Sequence, residues 1–126
     1  MKIVLDTNFL LYIFTLKMDI FEEIKKVVPF NPEFHVLDKT ITELEKLINS
    51  GSFSERKASK LALDIIKRKD LKIIKTEKNL YVDDALVELD PKEYIIATQD
   101  MVLKKRLKSK KFKILTIRQK KRIIME

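Results

Sequence analysis

The chain has no cysteine, no tryptophan, one glycine and one histidine in 126 residues. Without cysteine there is no disulfide, no thiolate zinc site and no cysteine nucleophile, and nothing points to an oxidising compartment. A single glycine, Gly51, cannot build a dinucleotide-binding fingerprint or a glycine-rich phosphate loop. A single histidine, His35, leaves no partner for a histidine-rich metal site and makes any Ser-His-Asp triad depend on that one residue. His35 lies inside an expected strand and reads as a satisfied, partly buried side chain. Long apolar runs are missing too. Ile3-Val4-Leu5 is stopped at once by Asp6, too early for a signal peptide or a membrane span. A soluble, cytoplasmic protein without a membrane partner is expected. Its chemistry must come mostly from carboxylates, hydroxyls, lysines and backbone groups.

What the chain does have is a core and a charge imbalance. Apolar residues form 45% of the sequence, enough for one folded domain over residues 1–126. Lys and Arg number 27 against 19 Asp and Glu, for a net charge of +8. The excess is concentrated in residues 101–126, which carry 11 basic residues and one acid, Glu126. Clustered cations suit a polyanionic partner, nucleic acid before membrane. A solvated helix face with a lysine-rich tail is the plainer alternative.

Short apolar runs alternate with segments of helical period. Strands are expected at Lys2–Leu5, Glu33–Leu37, Leu71–Lys75, Tyr94–Ala97 and Phe112–Leu115. Helices are expected at Asn8–Leu16, Ile20–Val28, Lys39–Asn49, Glu55–Lys69 and Met101–Ser109, with a further one carrying Val82, Ala85, Leu86 and Leu89. Ala58, Leu61, Ala62, Ile65 and Ile66 share one helix face, as burial on one side requires. Ser50-Gly51-Ser52 reads as a turn, with Gly51 available for positive φ. This alternation implies an α/β fold, a parallel sheet covered on both faces. In such folds ligands bind beyond the carboxyl ends of the strands.

Acids cluster there. Asp6 follows the first strand, Glu43 falls early in the helix after the second, Asp83-Asp84 opens the helix after the third, and Asp100 follows the fourth. On a parallel sheet all share one rim. Crowded carboxylates repel one another unless cations neutralise them, and magnesium or manganese suits an all-oxygen set. Each acid also has an ordinary role open to it. Asp6 and Asp100 can cap helices, Glu43 can pair with Lys39 or Lys46, and Asp83 and Asp84 can complement a helix dipole.

The sequence resembles the PIN-domain family of metal-dependent ribonucleases. The resemblance is carried by Ile3-Val4-Leu5-Asp6-Thr7-Asn8-Phe9-Leu10-Leu11, Thr42-Glu43-Leu44, Asp84-Ala85-Leu86-Val87, and Ile95-Ile96-Ala97-Thr98-Gln99-Asp100 with Leu103. Four motifs in order span essentially the whole chain. Gln99 stands where asparagine is frequent, and Pro91-Lys92-Glu93 replaces a glycine often found before the fourth strand. The ending Ile114–Arg122 is similar to the archaeal branch related to PIN nucleases that process small-subunit ribosomal RNA.

The resemblance implies a three-layer α/β/α sandwich around a central parallel sheet of about five strands. It implies one or two Mg2+ or Mn2+ ions held by Asp6, Glu43, Asp84 and Asp100, which are also the catalytic residues. Asn8 would brace the Asp6 loop, and Thr98 would do similar work beside Asp100 or contact a bridging water. Asp84 points away from the Val82/Ala85/Leu86/Leu89 stripe, while Asp83 sits beside it and is able to replace or assist Asp84. The function implied is endoribonuclease cleavage of single-stranded or loop RNA, in ribosomal RNA processing. A toxin ribonuclease with an antitoxin partner, and a non-catalytic RNA-binding assembly factor, are the alternatives. Lys104, Lys105, Arg106, Lys108, Lys110, Lys111 and Lys113 would guide the RNA, with Arg118, Lys120, Lys121 and Arg122 extending that surface. Ribosome-assembly factors and a second copy of the chain complete the expected partners.

Overall fold

The computed structural model describes all residues, 1–126. The elements run β1 (Lys2–Leu5), α1 (Thr7–Leu16), α2 (Ile20–Val27), β2 (Glu33–Leu37), α3 (Asp38–Ser50), α4 (Phe53–Arg68) and β3 (Lys72–Ile74). They continue with α5 (Val82–Val87), β4 (Tyr94–Ala97), α6 (Met101–Ser109), β5 (Ile114–Arg118) and β6 (Arg122–Met125). The sheet order is β3-β2-β1-β4-β5-β6. The first five strands are parallel, and β6 joins antiparallel to β5. No helix is long and apolar enough to cross a membrane.

The three-layer α/β/α sandwich follows from the two-residue period of the strands. Ile3, Leu5, Val36, Ile95, Ala97, Leu115 and Ile117 pack in one cluster with Phe9, Leu10, Ile24, Leu44 and Ile65 of helices α1 to α4. Val4, Leu37, Ile96 and Ile114 fall in a second cluster with Leu86, Leu103 and Leu107 of α5 and α6. Alternate side chains thus face opposite layers, and both faces are covered because every parallel connection needs a crossover helix.

Two expectations are corrected. The sheet has a sixth strand, β6, where only a basic tail was anticipated. Its hairpin turns through Gln119 and Lys120, both with positive φ (55° and 57°), without the glycine or asparagine that usually marks such a turn. Gly51 in turn does not use positive φ. It is extended at φ −81°, ψ 174°, and glycine suits it because a Cβ there would lie 2.6 Å from the Leu47 carbonyl oxygen. The close approach caps α3, since the Gly51 N–H donates to that same oxygen at 2.8 Å.

Ser59 on α4 is fully buried, and its Oγ has no hydrogen-bond partner. A buried hydroxyl without a partner costs about 1–3 kcal/mol. Ser59→Ala is therefore expected to stabilise the chain by about 1 kcal/mol, helped by alanine's better helix propensity. Urea denaturation checks this, and an unchanged or lower midpoint rejects it.

Candidate active site

The strand order reverses between β1 and β4, and the acids gather at the carboxyl end of that junction. Asp6 ends β1, where its N–H donates to the Ala97 carbonyl at 3.0 Å and extends the β1–β4 ladder. Its side chain is turned inward and only 5% exposed. The carboxylate accepts from the Thr7 N–H at 2.8 Å and from Thr98 Oγ1 at 2.9 Å. Thr98 Oγ1 in turn accepts from the Asp100 N–H at 3.2 Å. One hydroxyl thereby links the acids that end β1 and follow β4.

Glu43 arrives from α3. Thr7 Oγ1 donates to its Oε1 at 2.6 Å and lies 3.3 Å from Thr40 Oγ1. Asp100 Oδ1 accepts from the N–H groups of Val102 and Leu103 at 2.9 and 3.0 Å, so it does cap α6. Asp6 likewise caps α1. Capping and membership of the rim coexist, because a helix that follows a parallel strand starts at that strand's carboxyl end.

Burial is the main reason the Asp6 carboxyl is pushed up from 3.8 to about 6, with repulsion from Asp83 and Glu43 adding to it. The bonds from Thr98 and Thr7 oppose that shift. Asp83 is raised too, first by burial and then by repulsion from Asp100, with Arg106 opposing. The acid of the pair that feels Asp6 and Asp100 is thus Asp83. Asp84 instead accepts from Arg106 Nη2 at 2.8 Å, both side chains being partly exposed. The helix-face argument that favoured Asp84 relied on Leu89, which lies beyond α5.

The acids open into two cavities. A groove of about 910 Å³ between α3 and α5 holds Glu43, Asp83 and Asp84. A smaller cavity of about 320 Å³ holds Asn8, Gln99 and Asp100. No three acids stand close enough to ligate one ion as they are placed here. The donor set itself is all carboxylate and hydroxyl oxygen, and its central member is buried with like-charged neighbours and no ion-pairing cation. That chemistry fits a hard divalent ion.

The supporting residues differ from expectation. Asn8 is exposed and does not brace Asp6; Thr7 and Thr98 do. The hydroxyl of Thr7, directly after a strand-ending acid, is a signal the sequence carries for this role. Gln99 was noted only as a departure, yet it anchors the loop after β4. Its amide donates to the Ile117 carbonyl at 3.1 Å and accepts from Thr116 Oγ1 at 2.7 Å.

The expected basic surface does not form one face. Lys104 is buried, donating to Thr116 Oγ1 at 2.6 Å with Glu126 3.9 Å away, so it cannot meet a phosphate. Arg106 is held by Asp84, and Lys108 by Glu126 at 2.9 Å. Lys108, Lys110, Lys111 and Lys113 precede β5 and therefore sit at the end of the sheet opposite the acids. Lys105 is exposed on α6. Arg118, Lys120, Lys121 and Arg122 flank the β5–β6 turn, on the acid end.

The Asp6 shift has a measurable sign. Native Asp6 holds its proton to higher pH than the unfolded chain does, so its contribution to stability falls as pH rises from about 4 to about 6. In chelator, Asp6→Asn should remove that fall and exceed wild type by on the order of 2–3 kcal/mol near pH 7.5. Urea denaturation of both chains from about pH 4 to 8 isolates the difference; a less stable variant near pH 7.5 rejects this account.

Residues 3–120 match the family described as PIN like domain. Ribonuclease VapC4 of Methanocaldococcus jannaschii is 32% identical over 122 residues, which cover 95% of this chain and 92% of that protein. The solved structure of the PIN domain endonuclease Utp24 is similar with a TM-score of 0.82 at 28% identity, over 99% of this chain and 90% of the other. A domain of a functionally unknown protein from Methanocaldococcus jannaschii shares the fold, with a TM-score of 0.56 at 12% identity over 93% and 91% of the two chains. The match over nearly the whole sequence establishes that the chain belongs to the PIN-like domain family.

Proposed function

We propose that the chain is a divalent-metal-dependent endoribonuclease that works in ribosomal RNA processing in the cytoplasm. The observation that carries this reading is Asp6, a buried carboxylate with raised pKa, crowded by Glu43 and Asp83 and joined through Thr98 to Asp100. The names of the relatives, a ribonuclease and an endonuclease, support it. The similarity of Ile114–Arg122 to the archaeal branch related to PIN nucleases that process small-subunit ribosomal RNA supports the role.

Asp6, Glu43, Asp83 and Asp100 would hold the ions, with Asp83 taking the inner position and Asp84 orienting Arg106 at the groove. When bound, Mg2+ or Mn2+ activates water and neutralises the charge that develops on the phosphate and the departing oxygen. The protein's own contribution is placement. Thr98 keeps the outer oxygen of Asp6 from rotating, Thr7 fixes Glu43 against the same loop, and the α6 cap holds Asp100. Arg106 lies beside Asp83 and Asp84, where it would contact a non-bridging phosphate oxygen. Hydrolysis by this route leaves 3′-hydroxyl and 5′-phosphate ends.

A second reading, a toxin ribonuclease held by an antitoxin partner, is favoured by the identity to Ribonuclease VapC4. The roles separate on substrate. An rRNA-processing enzyme cleaves a precursor of small-subunit rRNA at one position, whereas a toxin arrests growth when expressed alone.

Cleavage of a structured RNA with Mn2+ tests the activity. Chelator should abolish cleavage and added Mn2+ restore it. Asp6→Asn and Asp83→Asn should each lose about 100-fold or more, the scale of several kcal/mol of metal-assisted stabilisation. Asp84→Asn should lose less than Asp83→Asn. Equal cleavage by wild type and Asp6→Asn removes Asp6 from the mechanism, and the reverse order for Asp83 and Asp84 restores Asp84 as the third acid.

A further inference from the structure

The groove between α3 and α5 carries groups that the hydrolytic chemistry leaves unused. Beyond Glu43, Asp83 and Asp84 its walls present Lys46, Lys78 and Tyr81. Tyr81 is 82% exposed, more than any other large apolar side chain. It stands at the N-cap of α5, two residues before Asp83, and makes no side-chain cap bond. Its ring packs against no other aromatic ring and no cation. A single exposed ring is ordinary on a protein surface; what distinguishes Tyr81 is its place on a groove wall that also carries Lys46 and Lys78.

The wall that bears it is fixed. Asp38, at the start of α3, accepts from the Thr76 N–H at 3.1 Å and from Thr76 Oγ1 at 2.7 Å. Lys39 Nζ donates to Thr76 Oγ1 at 2.6 Å and to the Glu77 carbonyl. The segment leading into α5 is thereby stapled to the helix that carries Glu43. Lys39 is consumed by that staple. Lys46 and Lys78 are exposed and form no ion pair, so the groove offers two free cations, one free aromatic ring and the acids at its inner end.

We infer that this groove is the binding track for single-stranded RNA, with Tyr81 stacking on one unpaired base while Lys46 and Lys78 contact phosphates. The inference rests on the nuclease reading and names how that same site selects its substrate. Lone lysines attract any polyanion, but a ring needs an exposed base face, which a duplex hides between stacked neighbours. Lys108 to Lys113 cannot supply this track, because they lie at the opposite end of the sheet.

Binding, not cleavage, tests the proposal. The full-length Asp6→Asn chain serves as the common background, in Mg2+ buffer, with fluorescein-labelled single-stranded and duplex RNA of equal length read by anisotropy. Adding Tyr81→Ala should weaken single-strand binding about 5- to 10-fold and Tyr81→Trp should stay within about twofold, because stacking tolerates any aromatic ring. Duplex affinity should not respond to Tyr81. Lys46→Ala and Lys78→Ala should each reduce the slope of log affinity against log salt by about 0.7, while Lys113→Ala leaves it unchanged. Wild-type affinity for Tyr81→Ala, equal losses on duplex and single strand, binding of an acidic peptide in preference to RNA, or no RNA binding at all would each overturn it. The substituted side chains are exposed, and circular dichroism verifies that each variant is folded. Failure of the nuclease reading is separable. A wild-type chain that cleaves nothing while Tyr81→Ala still loses single-strand affinity removes that reading and keeps this one, and a cleaving chain indifferent to Tyr81 does the opposite.

Discussion

Asp6 is a carboxylate enclosed by protein on nearly every side, and no lysine or arginine is bonded to it. Withdrawing a charge from water is costly unless something replaces the water. Here the replacement is partial: one backbone N–H, one threonine hydroxyl and the start of a helix. The carboxyl group remains easier to protonate than in solution, with other acids aimed at it. In a chain of net charge +8, keeping cations away from such a place requires an arrangement that enforces it. Everything else in the structure can be understood from that requirement.

The arrangement is the parallel sheet. Each parallel strand ends at the same edge, and the next helix starts there with its unpaired N–H groups facing the edge. Helices α1 and α6 both begin one residue after an acid, Asp6 and Asp100. Their positive ends offset negative charge without placing a side-chain cation on Asp6 or Asp100. Threonines do the remaining work, and they can because a hydroxyl donates a hydrogen bond while carrying no charge. Thr7 and Thr98 hold Glu43, Asp6 and Asp100 in relation to one another. A lysine in either place would hold them as well and would also neutralise them, which would weaken any attraction for a divalent ion.

How far the sequence reveals this depends on whether a signal is local. Strands β1, β2 and β4 and helix α6 are legible at their bounds because an acid or proline marks at least one end of each, Asp6, Pro32 and Asp38, Glu93, and Asp100. The acids are legible as a group because strand ends in a parallel sheet share an edge. Strand β6 is hidden, since Ile123, Ile124 and Met125 follow a basic run whose turn residues, Gln119 and Lys120, give no warning of left-handed backbone. Lys104 is a different case. Asp100, Leu103, Lys104 and Leu107 recur at helical spacing on one face, so its burial was available to a helical projection and was obscured by the lysines around it. The choice between Asp83 and Asp84 is not local at all. In a helix of six residues the stripe cannot fix which side faces the acids; that depends on packing against α6, whose Arg106 pairs with Asp84.

The placement of the basic residues resolves an apparent conflict. On the proposed function, the site would need uncompensated negative charge for a divalent cation, while the surface would need positive charge for RNA. Strand order keeps the two apart. From β1 to β6 there are three strand spacings, about 14 Å at the usual 4.8 Å each. That exceeds the screening length of about 8 Å at physiological salt. The exposed cations of the β5–β6 turn are thus too far away to neutralise Asp6, yet they are free to touch a phosphate lying across the same edge. Lys46 and Lys78 stand nearer, in the groove that holds Glu43, Asp83 and Asp84, and form no ion pair with them. Positive charge touches the rim only at Asp84, through Arg106, and Asp6 itself has no cation bonded to it.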